Sequence, residues 1–294
     1  MQKILLVLFL SLVHRTSAQA QVPSTDIYLS QISLEKGAVR VLSVANITNR
    51  EGYDNQPSFT PDGENILLTS IREDGQADIY RYNIRTATMS RAIQSRESEY
   101  SPAITPDGKT ISVVSVELDS TQRLWQFDLN GMNARVILPE IKPVGYYAWA
   151  DEQTVALFVL GSPPTLQLAN ITTGKADIIE KAIGRSLHKI PGQNAISFVH
   201  KVSDSVWWIK RLDIASRTVS AITTTLSQSE DYCWLPDGSF LMGQGTKLFH
   251  WKPQGTWNEV GDLSRYGIEN ITRLAVNNAG THLAIVDVPS GEKK

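Results

Sequence analysis

Cysteine is almost missing: the 294-residue chain has one, Cys233, which excludes an internal disulfide framework and a cysteine-based zinc site. An excess of either charge is missing too. With 28 Lys and Arg against 30 Asp and Glu, there is no basic face for nucleic acid or an anionic membrane. No apolar run reaches the roughly 18 residues that a membrane-spanning helix needs. Helical periodicity is nearly absent, and no Gly-x-Ser-x-Gly elbow occurs to carry a nucleophilic serine. What remains is an ordinary share of hydrophobic residues, 41%, which excludes a disordered chain and is enough for a large core.

The first twenty residues read as an address. Lys3 gives a positive start, Ile4 to Val13 is an almost unbroken apolar run, and Ser17-Ala18-Gln19-Ala20 supplies the small residues of a cleavage site. This is the pattern of a secretory signal peptide, residues 1–20, cut after Ala20. No cysteine follows the cut before Cys233, so a lipoprotein is not expected. Losing Lys3 and Arg15 leaves 26 basic and 30 acidic residues, a mature net charge of −4. An exported chain with a single thiol suits a bacterial periplasm. Three Asn-Ile-Thr triplets, at Asn46, Asn170 and Asn270, match the glycosylation acceptor pattern and are expected to be unmodified there.

A repeat organises the rest. Pro57-Ser-Phe-Thr-Pro61-Asp62-Gly63 recurs as Pro102-Ala-Ile-Thr-Pro106-Asp107-Gly108 and as Cys233-Trp-Leu-Pro236-Asp237-Gly238. Weaker copies stand at Ala150-Asp151-Glu152, Pro191-Gly192-Gln193 and Asn278-Ala279-Gly280. The turn positions 61, 106, 150, 191, 236 and 278 are 45, 44, 41, 45 and 42 residues apart. That step, in strand-forming sequence, is the size of a four-stranded propeller blade. Proline presets φ, Asp hydrogen-bonds its own backbone, and Gly supplies the positive φ that turns the chain back.

A second element interleaves with the first. Asp78-Ile-Tyr-Arg-Tyr-Asn83 reappears as Arg123-Leu-Trp-Gln-Phe-Asp128, Thr165 to Asn170, Trp208 to Asp213 and Lys247 to Lys252. These read as third strands of blades. The sixth copy lies at the start, as Asp26-Ile-Tyr-Leu-Ser-Gln31. The last inner hairpin, Arg273 to Val288, has no outer hairpin after it, and Ile27 to Val41 has no inner hairpin before it. The expectation is therefore an all-β, six-bladed propeller over 21–294, closed by pairing the N-terminal outer hairpin with the C-terminal inner one. The stretch from Val44 to Gln56 is about six residues longer than its equivalents and is expected to add a surface loop.

The Pro-Asp-Gly turns after Pro-x-Phe/Ile-Thr, with the Asp-Ile-Tyr third strand, resemble the propeller repeats of the TolB family, the periplasmic component of the Tol–Pal envelope system. The resemblance implies an exported propeller that binds partners in the cell envelope. TolB carries an α/β domain before its propeller; here only a few residues separate the leader from the first strand, so a propeller-only chain is expected. Similar repeats precede the hydrolase domain of prolyl-oligopeptidase-type peptidases and occur in some sugar lyases.

Function would lie where the innermost strands meet the central tunnel. Residues there include Asp54, Asn55, Glu99, Tyr100, Tyr146, Arg185, Glu230, Asp231 and Arg273. Asp54, Asn55, Glu99, Glu230, Asp231 and Asn270 are oxygen donors of the kind calcium uses, but Arg185 and Arg273 oppose a cation, so no cofactor is expected. Of His188, His200, His250 and His282, only His188 stands where it can reach the axis, so no histidine metal site is expected. Cys233 reads as a packed thiol. Tyr53, Tyr100, Tyr146, Tyr147, Trp149 and Tyr232 gather near the tunnel, where such side chains serve as packing or as binding anchors. The pair Trp207-Trp208 should place one ring on each face of its strand.

The function expected is that of a monomeric, non-enzymatic, periplasmic or secreted scaffold binding an envelope protein or peptide. The alternative is a metal-assisted lyase or hydrolase acting on a sugar or lactone, with Asp54, Glu99 and Glu230 around the ion.

Overall fold

The computed structural model describes residues 24–253 and 255–289. The expected leader, 1–20, lies outside the described residues. The chain opens with β1 (Asp26–Glu35) and β2 (Ala38–Asn46). Blade one is β3 (Tyr53–Phe59), β4 (Asn65–Ile71), β5 (Ala77–Asn83) and β6 (Thr88–Arg91). Blade two is β7 (Ser98–Ile104), β8 (Thr110–Val116), β9 (Gln122–Asp128) and β10 (Arg135–Val136). Blade three is β11 (Val144–Trp149), β12 (Thr154–Val159), β13 (Thr165–Asn170) and β14 (Ala176–Lys181). Blade four is β15 (Ile183–Lys189), β16 (Ala195–Lys201), β17 (Trp207–Asp213) and β18 (Val219–Thr224). Blade five is β19 (Tyr232–Trp234), β20 (Phe240–Gln244), β21 (Lys247–Trp251) and β22 (Asn258–Asp262). The chain ends with β23 (Ile271–Val276) and β24 (His282–Asp287).

Each blade is an antiparallel four-stranded sheet, and the sixth has the order β2-β1-β24-β23. In that sheet Tyr28 stands opposite Ile285 and Ser30 opposite Leu283. Thr25 reaches on to the first blade, where its hydroxyl donates to the Asp54 carbonyl at 2.8 Å.

The turns form as their chemistry dictates. In the first, the Thr60 hydroxyl and the Glu64 N–H both donate to the Asp62 side chain, at 2.5 and 2.9 Å, and Gly63 sits at φ +73°. The second repeats this with Thr105, Lys109, Asp107 and Gly108. The bond from Thr60 holds the Asp62 carboxyl below its ordinary range.

Burial follows position in the blade. The second strands lie between two neighbouring blades, so β8 is an almost continuous buried run, Thr110 to Ser115. The outermost strands β6, β10, β14, β18 and β22 carry no buried residue. The core is divided into six hydrophobic clusters, one in each gap between adjacent blades.

The long segment before β3 is more than a surface loop. It delivers Arg50, whose guanidinium pairs with Asp54 at 2.8 Å and also donates to the Ser70 hydroxyl and the Ile71 carbonyl. Among the described residues no helix is long and apolar enough to cross a membrane.

Candidate functional site in the central tunnel

The innermost strands β3, β7, β11, β15, β19 and β23 surround a cavity of about 470 Å³. Phe59, Ile104, Trp149, Lys189, Trp234 and Val276 line one end, each one or two residues before its blade's turn. Towards the other end the lining turns polar, with Tyr146, Arg185, Asp231 and Arg273. Arg185 and Asp231 also line an adjoining cavity of about 190 Å³, together with Glu230 and Trp207.

The nine residues expected at the tunnel separate into two groups. Tyr146, Arg185, Glu230, Asp231 and Arg273 line one or both cavities. Asp54, Asn55, Glu99 and Tyr100 line neither. Asp54, Asn55, Glu99 and Tyr100 all precede an irregular stretch of their strand. Pairing with the second strand slips between Asn55 and Ser58 and between Tyr100 and Ala103. Gln56 and Ser101 there take left-handed φ of 56° and 52°. Such a bulge breaks the in-out alternation by which sequence places side chains. Asp54 is wholly buried against Arg50. The Asn55 side-chain oxygen accepts the Gln56 N–H at 2.7 Å. Glu99 is wholly buried, with its Oε1 accepting from the Ser95 hydroxyl.

The cavity's own charges are partly paired. Arg185 donates through Nε to Asp231 at 3.1 Å and lies 3.3 Å from Glu230. Lys201 meets Glu230 at 2.7 Å and stands 4.2 Å over the Trp207 ring. Burial works against the Arg185 charge, yet Asp231 and Glu230 together hold its pKa above the usual guanidinium value. The Arg273 guanidinium lies 5.3 Å over the Tyr146 ring. Burial pushes the Tyr53 phenol up to about 12, against the pull of Arg273. Trp207 and Trp208 are both half-buried.

His188 does line the cavity, edge-on to Tyr232 with ring centres 4.6 Å apart. Its Nε2 shares a 2.9 Å hydrogen bond with the Ser186 hydroxyl. Burial pushes the imidazole down to about 4, so it is neutral at pH 7. Among the described residues its Nδ1 has no partner, so the pair lacks there the third group that orients a base in nucleophilic catalysis. Cys233 is buried, and burial pushes its thiol up to about 12. The three carboxylates of the metal reading do not converge: Asp54 goes to Arg50, Glu99 to Ser95, and Glu230 to Arg185 and Lys201. Among the described residues no group of three or more His, Cys, Asp or Glu is placed to hold a metal.

Two inter-blade clasps were not anticipated from sequence. Tyr147 and Trp149 both donate to the Ser112 hydroxyl of the preceding blade, at 2.9 and 3.0 Å. Tyr232 and Trp234 do the same to Ser197, both at 2.7 Å. The signal was available: Tyr-x-Trp recurs at 147 and 232, and Ile-Ser-x-Val at 111 and 196, each 85 residues apart.

No protein-family model matches the chain, and no curated protein matches it. Solved structures do. A chain described as TolB from Agrobacterium tumefaciens superposes with a TM-score of 0.70 at 13% identity, over 92% of this chain and 100% of that one. The fold is that of a TolB-like propeller. TolB from Acinetobacter baumannii gives 0.58 at 13% identity, over 90% of this chain and 64% of its own length. A propeller described as a gluconolactonase gives 0.59 at 10% identity, over 88% of this chain and 92% of that one. At these identities the shared property is the fold, which TolB-like propellers have in common with enzymes.

Proposed function

We propose that the chain is an exported, non-enzymatic binding protein that holds an envelope protein or peptide at the mouth of its tunnel. The observation that carries this reading is the tunnel lining. It offers aromatic anchors and charged groups, while its acids are engaged by neighbouring cations and its Ser–His pair lacks an orienting group among the described residues. The TolB-like fold supports a binding role, and the leader-like residues 1–20 support export with cleavage after Ala20. The metal-assisted alternative draws only a fold from its propeller neighbours, and the carboxylates it needs are committed elsewhere.

The test is capture from a cell-envelope extract with immobilised mature chain, beside a variant reversing an exposed charge of the cavity rim, Lys189→Glu. A partner retained by the mature chain and weakened about tenfold by Lys189→Glu is the expected result. No retained partner, together with turnover of a lactone or uronide, overturns it.

A further inference from the structure

We propose that the tunnel cavity binds an organic carboxylate, with the Arg273 guanidinium as its counter-charge. The inference rests on the binding-protein reading and names the ligand chemistry of the same cavity. The charge count of the lining is the first observation. Arg185, Lys189 and Arg273 face a single carboxylate, Asp231, a formal +2 in a chain whose net charge is −2. His188 adds nothing to that count, being neutral.

The second observation concerns Arg273 itself. Asp231 is already held by Arg185, and Glu230 by Arg185 and Lys201. Among the described residues Arg273 makes no ion pair or hydrogen bond, and its Nε is buried without an acceptor. A buried guanidinium N–H without an acceptor is costly. An incoming carboxylate removes that cost with two parallel N–H···O bonds, the geometry guanidinium favours.

A hydroxyl stands beside it. Tyr146 lies under the guanidinium and lines the cavity. Its phenol makes no hydrogen bond within the described residues, so it has an O–H to donate. The rest of the cavity sets the shape of the ligand. Pro57, Pro102, Leu187, Trp149 and Trp234 give apolar walls, and about 470 Å³ is the size of a small-molecule site rather than of an inorganic ion. The ligand is thus an acid with an apolar or aromatic body, either a free small acid or the C-terminal carboxylate of a peptide.

The experiment is titration calorimetry on the mature chain with phenylacetate and its neutral isostere phenylacetamide, and with Gly-Gly-Phe as free acid and as C-terminal amide. The expected result is a preference of about tenfold or more for acid over amide in at least one pair, lost in Arg273→Gln and partly kept in Arg273→Lys. Preference confined to the peptide pair identifies a chain terminus as the source; preference for phenylacetate identifies a free acid. Arg273→Gln removes an unpaired cation and should melt no lower than the parent chain. Should that variant misfold, the comparison on the parent chain decides alone. No acid preference in either pair, or a preference that survives Arg273→Gln, overturns the proposal. Hydrolysis of an ester of the bound acid would overturn the binding-protein reading instead and leave the acid preference intact.

Discussion

Glu99 is a carboxyl without water. It is wholly buried, one oxygen accepts from Ser95, and the other has no partner among the described residues. Burial outweighs the Ser95 bond, Asp78 adds repulsion, and the pKa rises to about 8 from 4.5. The sign follows from proton counting. Between those values the folded protein keeps a proton that the unfolded chain has released, so stability falls as pH rises from about 4.5 and levels off above about 8. Glu99→Gln preserves the shape and removes the ionisation. Its melting temperature should match the parent's near pH 4 and exceed it increasingly towards pH 8. A variant destabilised equally at all three of pH 4, 6 and 8 would show that Glu99 is ionised and paired. His188 acts oppositely, since its depressed value makes stability rise with pH between about 4 and 6.5. That contribution is common to both proteins and cancels in the comparison.

At the scale of elements, the clasp between neighbouring blades has a measurable weight. Ser197 is wholly buried and accepts from both Tyr232 and Trp234. Ser197→Ala leaves two buried donors unsatisfied, at about 1–3 kcal/mol each. Urea unfolding should therefore show a loss of about 2–6 kcal/mol, with the denaturant slope unchanged. A loss below about 0.5 kcal/mol would mean that the ring is held by apolar contact alone. The blades were legible in the sequence because their turns rest on local chemistry: Asp62, Asp107 and Asp237 bond their own backbones, and Gly63, Gly108 and Gly238 take positive φ. The site was legible in part. Tyr146, Arg185 and Arg273 line the cavity although the pairing of their strands also slips beside them, whereas Asp54 and Glu99, two residues ahead of left-handed Gln56 and Ser101, do not line it. Neither Gln nor Ser announces a left-handed backbone, so the rotation was invisible. Glu99's fate and the pairing of Asp54 with Arg50 are tertiary facts for the same reason.

For the molecule as a whole, the question is what a ring loses when one blade is opened. The sixth sheet joins β1 and β2 from one end of the chain to β23 and β24 from the other. Its first-strand residue Ile27 belongs to the cluster shared with blade one, while Tyr28, Ile32 and Val39 belong to the cluster shared with blade five. Burying four such side chains contributes roughly 6–12 kcal/mol, which is comparable with the roughly 5–15 kcal/mol that holds a typical protein folded. Removing residues 24–46 would also strip β24 of one of its two partners, leaving it paired to β23 alone. That strand, with Leu283 to Val286 wholly buried, would become a flat apolar edge of the kind that pairs with other chains. A chain starting at residue 47 is therefore expected to elute as aggregate and to melt without a cooperative transition. A synthetic peptide of residues 24–46, added during refolding, should return it to a monomeric elution volume with a cooperative melt. A soluble, cooperatively melting monomer without the peptide would show that five blades and an inner hairpin suffice, and that the shared sixth sheet adds little to the stability of the ring.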